Sequence, residues 1–102
     1  MYSSIKNVLG ILAVYDLDVR MNYCVYMILC EDGSYYTGHS KNVKRRFRQH
    51  KRGLGARYTR MHKPKMLVYS EKFSTRGEAI RRERAIKMMT HKKKQKLADL
   101  ST

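Results

Sequence analysis

YCVYMILCEDGSYYTGHS, residues 23–40, decides the fold. Tyr23 to Cys30 is apolar at odd and even positions alike, so a strand built from it must be covered on both faces and belongs in the middle of a sheet. Glu31-Asp32-Gly33 follows, and an Asp-Gly step between apolar segments is a strong hairpin signal. Ser34 to Gly38 is therefore expected to return antiparallel as a second strand.

Downstream, Ser40 is a plausible N-cap for a helix over about Lys41 to Lys51, which Gly53 and Gly55 break. Ala56 to His62 forms a short helical turn ended by Pro64, and Met66 to Phe73 reads as a third strand. Ser74 caps a helix from Thr75 to Met89. Thr90 to Leu100 has helix-forming composition and carries the basic run HKKKQK. The order is β-β-α-(short α)-β-α-α, an α/β sandwich of mixed or antiparallel type. Upstream, residues 1–20 differ in composition, being apolar with few charges, and we read them as an extension of unassigned role before a single domain over 21–102.

Across 102 residues, 23 lysines and arginines face 8 aspartates and glutamates, a formal charge of +15 that far exceeds what solubility requires. The basic residues are interleaved with eight tyrosines and short apolar stretches, as in a folded module, so nucleic acid is the expected partner. The longest apolar run, Val8 to Tyr15, is too short to span a membrane. Cys24 and Cys30 lie six residues apart on one strand, roughly 20 Å. They cannot bridge each other, form no metal site, and suit a reducing cytoplasm.

Charge sits in unexpected places on two helices. In the first, Val43 and Phe47 define an apolar stripe that continues to His50, with Arg46 on its flank. In the later helix Ala79, Ile80 and Ile86 form the stripe, and Glu83 falls at its centre. A carboxylate there must be paired, bind a metal or face a solvent cleft. One reading is a Glu83–Arg46 salt bridge holding two helices to the sheet. The other is an active site, with an arginine fork for phosphate oxygens and a single carboxylate for magnesium.

These residues resemble the GIY-YIG nuclease superfamily, in particular its small stand-alone bacterial members, over about Tyr23 to Met89. Cys24-Val25-Tyr26 is similar to the first signature triplet and Tyr36-Thr37-Gly38 to the second, with Cys24 in place of glycine and Thr37 in place of isoleucine. Arg46 matches the family's catalytic arginine, Glu83 its metal-binding glutamate, and His50 the aromatic or histidine position one turn after the arginine. His39 falls where many members carry lysine. The resemblance implies a small three-stranded antiparallel sheet flanked by helices, with Tyr26, Tyr36, Arg46, His50 and Glu83 as catalytic residues.

It further implies a metal-dependent endonuclease cutting DNA, including structured forms met in repair or recombination. Glu83 would ligate Mg²⁺ or Mn²⁺ and Arg46 would hold a non-bridging oxygen. Tyr26, Tyr36 or His50 would position or deprotonate water; which of them is the base stays open. His39, Lys44, Arg45, Arg48, Lys51 and Arg57 would contact nucleic acid, DNA or RNA, through its phosphates. Neither a membrane nor a small-molecule cofactor is expected. The competing function is a non-catalytic basic nucleic-acid-binding module with the same fold. A basic protein of ribosomes or membrane surfaces would explain the charge but not Glu83 and the tyrosine pair.

Overall fold

A computed structural model describes residues 22–100; the extension expected over residues 1–20 lies outside them. Seven elements follow in order: β1 (Tyr23–Cys30), β2 (Tyr35–Ser40), α1 (Val43–Lys51), α2 (Arg57–Met61), β3 (Pro64–Phe73), α3 (Arg76–Lys87) and α4 (His91–Leu100). The three strands form one antiparallel sheet in the order β2-β1-β3, so the strand that is apolar on both faces is central. Val25, Met27 and Ile28 on it are wholly buried.

Pleating sends alternate residues of β1 to two separate cores. Val25 and Met27 pack with Ala79 and Ile86 of α3 and Ala98 of α4. Tyr26, Ile28 and Cys30 face the other way, onto Tyr36, Val43, Phe47 and Leu67. Each fully buried aliphatic side chain contributes about 1.5–3 kcal/mol, so each face of the small sheet needs its own helical cover. Cys24 and Cys30 are both buried and unbridged.

Several boundaries differ from the sequence expectation for local reasons. At the hairpin, Gly33 has φ of 88°, the positive value that its turn requires, and Asp32 accepts from the Ser34 amide and hydroxyl. Ser34 is thereby drawn into the turn, and β2 begins at Tyr35. The first helix is capped by Asn42, whose side chain accepts from the Arg45 amide, and not by Ser40, which instead bonds the backbone of Asn42. Thr75, not Ser74, caps α3, because only Thr75 stands three residues before Glu78 and can close a reciprocal capping box. Pro64 opens β3 and is not merely a stop; the first residue of a strand is a position that tolerates a missing amide proton.

Candidate active site

The register of the sheet sorts the expected site residues. Antiparallel partners share a face, so Gly38 lies with Tyr26 and Tyr36 with Ile28, all toward α1. His39 pairs with Val25 and Thr37 with Met27, both toward α3. Tyr26 and Tyr36 therefore face α1, where His50 bonds Tyr26, while His39 meets Glu83 from the α3 side, with Glu83 still near enough for its charge to act on Tyr26.

On the α1 side, the Val43–Phe47–His50 stripe turns inward and buries the imidazole completely. His50 Nε2 lies 2.7 Å from the Tyr26 hydroxyl, and Nδ1 lies 2.7 Å from Thr59 Oγ1. Two glycines make room for this arrangement. A Cβ on Gly38 would fall 2.7 Å from the Tyr26 hydroxyl oxygen, and one on Gly55 only 2.2 Å from His50 Nδ1. The Tyr36 ring completes the wall, 4.9 Å from the imidazole and 6.3 Å from the Tyr26 ring. Beyond it Tyr58 stacks on His62 at 4.0 Å, and His62 pairs with Asp32 at 2.5 Å.

Burial dominates the electrostatics of this pair. It raises the Tyr26 phenol above its ordinary value, and the neighbouring Tyr36 adds to the rise while the Arg46 guanidinium opposes it. Burial also lowers His50 to about 4, helped by repulsion from Arg46. At neutral pH the centre is therefore a neutral phenol bonded to a neutral imidazole beside one fixed positive charge. Such a pair can exchange a proton without carrying a standing charge into the interior.

Arg46 is half-buried and donates to Gln49 at 3.0 Å. The Glu83–Arg46 salt bridge that the sequence allowed is not formed. Glu83 is held instead by His39, with Nδ1 2.5 Å from Oε1, and by Lys87, with Nζ 2.7 Å from Oε2. Burial alone would raise this carboxyl, but the Lys87 and His39 hydrogen bonds outweigh it and hold the group below the usual carboxylate range. The negative charge of Glu83 also acts on Tyr26, since it contributes to the rise of that phenol.

Among the described residues no cluster of three or more histidine, cysteine, aspartate or glutamate side chains could hold a metal ion. That donor set does not suit zinc, which wants three or four protein ligands. It does fit magnesium, which is commonly bound by one or two carboxylates together with substrate phosphate and water. Glu83, ionised and partly exposed, is the carboxylate of the site that could serve in this way.

Of the residues expected to contact nucleic acid, Lys44, Arg45, Arg48, Lys51 and Arg57 are exposed. His39 is taken up by Glu83. An open hollow of about 370 Å³ between the end of β2 and α1 is lined by Ser40, Lys41, Asn42, Arg45, Arg46 and Gln49. Arg45 and Gln49 also border a second hollow of about 260 Å³, with Arg48, Arg52 and Leu54. Sequence reasoning missed Thr59, Gly55 and Lys87. Lys87 had a readable signal, since it stands four residues after Glu83 on the same helix. Thr59 and Gly55 had none, because their roles depend on where α2 and its entry loop pack.

Residues 22–97 match the family model described as the GIY-YIG catalytic domain. A UPF0213 protein of Staphylococcus aureus is 46% identical over 76 residues, covering 74% of this chain and 93% of that protein. A UPF0213 protein of Staphylococcus saprophyticus is 45% identical over 73 residues, covering 72% and 89%. The solution NMR structure of a UPF0213 protein of Bacillus halodurans shares 42% identity and a TM-score of 0.50, over 78% of this chain and 85% of that one. A second NMR structure, of a protein from E. faecalis, gives 39% identity and a TM-score of 0.52 over 74% and 80%. The three-stranded antiparallel sheet with its helices agrees with these structures.

Proposed function

The chain belongs to the GIY-YIG catalytic domain family, and from that premise we propose that it is a metal-dependent endonuclease hydrolysing DNA phosphodiester bonds. The observation that carries this reading is the buried 2.7 Å hydrogen bond between Tyr26 and His50, made beside the fixed charge of Arg46. Packing alone would favour apolar side chains there, because buried polar groups cost free energy unless they are paired.

Hydrolysis needs a positioned water in line with the leaving oxygen and stabilisation of the charge that develops on the phosphoryl group. Arg46 offers a guanidinium fork to a non-bridging oxygen, a role whose loss costs on the order of 10²-fold or more in rate. Tyr26 exchanges a proton with the attacking water, and Tyr36 shapes the pocket that holds it. Glu83 would hold the Mg²⁺ or Mn²⁺ ion, whose chemistry there is to neutralise charge on the phosphate and the leaving oxygen. To do so Glu83 must give up part of its hold on His39 and Lys87. The exposed cations of α1 and α2 supply affinity through phosphates without reading sequence.

We place this activity in the cytoplasm, in repair or recombination of DNA, where free thiols such as Cys24 and Cys30 stay reduced. Among the described residues no helix is long and apolar enough to cross a membrane. A second reading, a non-catalytic nucleic-acid-binding module, is favoured by one fact: both oxygens of Glu83 are already engaged.

The two part on one experiment. The protein and its Glu83→Ala and Arg46→Ala variants are incubated with supercoiled, branched and single-stranded DNA, in Mg²⁺ or in EDTA. Metal-dependent cutting by the unmodified protein alone supports the endonuclease. Binding by all three without cutting leaves the docking module.

A further inference from the structure

In the endonuclease reading Tyr26 can pass its proton to His50, and the groups behind the ring decide whether His50 can take it. His50 Nδ1 faces Thr59 Oγ1 at 2.7 Å and the Ala56 amide nitrogen at 3.4 Å. Thr59 Oγ1 also lies 3.0 Å from the Ala56 carbonyl oxygen. Two proton arrangements compete on this frame. In one, the Thr59 hydroxyl donates to the Ala56 carbonyl, Nδ1–H donates to Thr59, and the Tyr26 hydroxyl donates to Nε2. In the other, Thr59 and the Ala56 amide both donate to Nδ1, and Nε2–H donates to Tyr26.

The first arrangement places a proton in every contact of 3.0 Å or less, and its cost is the Ala56 amide, which at 3.4 Å then faces a protonated nitrogen. The second sets two oxygens 3.0 Å apart with no proton between them, gains only the long amide contact, and leaves the buried Tyr26 hydroxyl without an acceptor among the described residues. The Ala56 carbonyl already accepts from the Arg60 amide, so it does not need Thr59 for its own sake. Thr59 is moreover the one buried residue of α2, at 2% exposure. A purely structural contact at that spot would be served by valine.

We propose that Thr59 is the positioning residue that fixes His50 as its Nδ1–H tautomer and so leaves the Nε2 lone pair to accept the Tyr26 proton. This rests on the endonuclease reading for its consequence but not for its measurement. In the transition state the attacking water gives a proton to the Tyr26 oxygen as the phenol proton passes to Nε2. Hydroxide forms the new bond to phosphorus, and the bond from phosphorus to the leaving oxygen breaks. The leaving oxygen takes a proton from solvent water, and the proton that His50 gained returns through the Tyr26 hydroxyl to water at the site. Tyr26 is at no point a free phenolate, and Nδ1–H keeps its bond to Thr59 while the ring is charged. The arrangement is that of a base held by a third group, with an uncharged hydroxyl as the holder.

Nitrogen-15 NMR of the full chain at pH 7, with two-bond correlations from the His50 ring protons, reports which nitrogen is protonated, and it requires no activity. The protein should show Nδ1–H. Thr59→Val removes the holder while keeping the shape, leaves the Ala56 amide as the only donor at Nδ1, and should move the proton to Nε2 in a large fraction of molecules. Thr59→Ser should restore Nδ1–H. In the cleavage assay kcat should fall on the order of tenfold or more in Thr59→Val with KM little changed, and recover in Thr59→Ser. Nε2–H in the unmodified protein, or Nδ1–H unaltered in Thr59→Val, would overturn the proposal. Should the protein cut no DNA while the tautomer behaves as stated, the endonuclease reading fails and the role of Thr59 in setting the tautomer stands.

Discussion

The Cβ that Gly55 lacks would stand 2.2 Å from Nδ1 of His50 and 2.7 Å from two further ring atoms. Position 55 therefore needs glycine for room and not for backbone freedom; the residue with φ of 77° in this loop is Gly53, where nothing lies within 4 Å. The two glycines should respond differently to alanine. Gly55→Ala pushes on a buried ring that has no space to retreat, costing about 1–3 kcal/mol and much of any cleavage activity. Gly53→Ala meets only left-handed backbone strain, about 1 kcal/mol, with activity kept. Urea midpoints and cleavage rates of the pair check this, and a Gly55→Ala protein with an unchanged midpoint and rate would sink it.

Acid should weaken the protein through His50 before it does so through the carboxylates. The folded imidazole titrates at about 4, against 6.5 for the free side chain. The unfolded chain thus binds the proton first, and stability present above pH 6.5 is lost as the pH falls toward 4. The full loss is on the order of 3 kcal/mol. Glu83 and Asp32 are held below their ordinary values, so their contribution declines only below about pH 4.5. Thermal midpoints measured from pH 7 to 4.5 should drop in the unmodified protein and much less in His50→Gln. Equal slopes in that window would remove His50 as the cause.

Thr37 points the other way. Its side chain is buried at 3% exposure, and its hydroxyl has no hydrogen-bond partner among the described residues. Leaving such a group unpaired costs about 1–3 kcal/mol, so Thr37→Val, which keeps the shape, should stabilise the domain by on the order of 1 kcal/mol. A urea midpoint that falls instead would show that the hydroxyl finds a partner in solution.

The hairpin was legible because Asp32-Gly33 is a local signal whose geometry one turn fixes, and β1 because an all-apolar strand has only one place to go. The α1 stripe likewise put His50 on the apolar side of its helix, though it did not show that the ring would be wholly enclosed. What sequence could not carry was partnership between elements. Glu83 was readable as a misplaced carboxylate and Lys87, four residues on, as its neighbour on the helix, yet its other partner, His39 on an edge strand, follows from the sheet register, which sets His39 beside Val25 on the α3 side. Thr59 looked like any polar residue in a short helix until α2 packed it against the imidazole.

Lys87 is half-exposed and pairs with Glu83 across one helical turn, a contact worth roughly 0.3–0.5 kcal/mol. Lys87→Ala should leave stability within about that margin while freeing one carboxylate oxygen for a cation. Half-maximal Mg²⁺ for cleavage should then fall, whereas Glu83→Gln should abolish the metal requirement together with the cutting and still bind DNA. If Lys87→Ala instead raised the Mg²⁺ requirement, the lysine would be serving the substrate and not masking the carboxylate.

The exposed arginines of α1 should govern affinity rather than rate. Arg45 and Arg48 both border the hollow on the outer side of that helix, and neither forms an ion pair among the described residues. A chain of net charge +15 that neutralises phosphates releases condensed counterions, so the logarithm of its affinity falls linearly with the logarithm of salt concentration. Each lost phosphate contact reduces that slope by about 0.9 on duplex DNA and about 0.7 on a single strand. Arg45→Gln and Arg48→Gln should each flatten the slope by about one contact, equally on unrelated sequences, with kcat at saturating DNA unchanged. Arg46→Gln should do the reverse, slowing cleavage far more than it alters the salt slope, because in the proposed endonuclease its charge serves the phosphate being cut. Equal behaviour of all three variants in both assays would mean that α1 presents one undifferentiated basic face and that Arg46 has no special task on it.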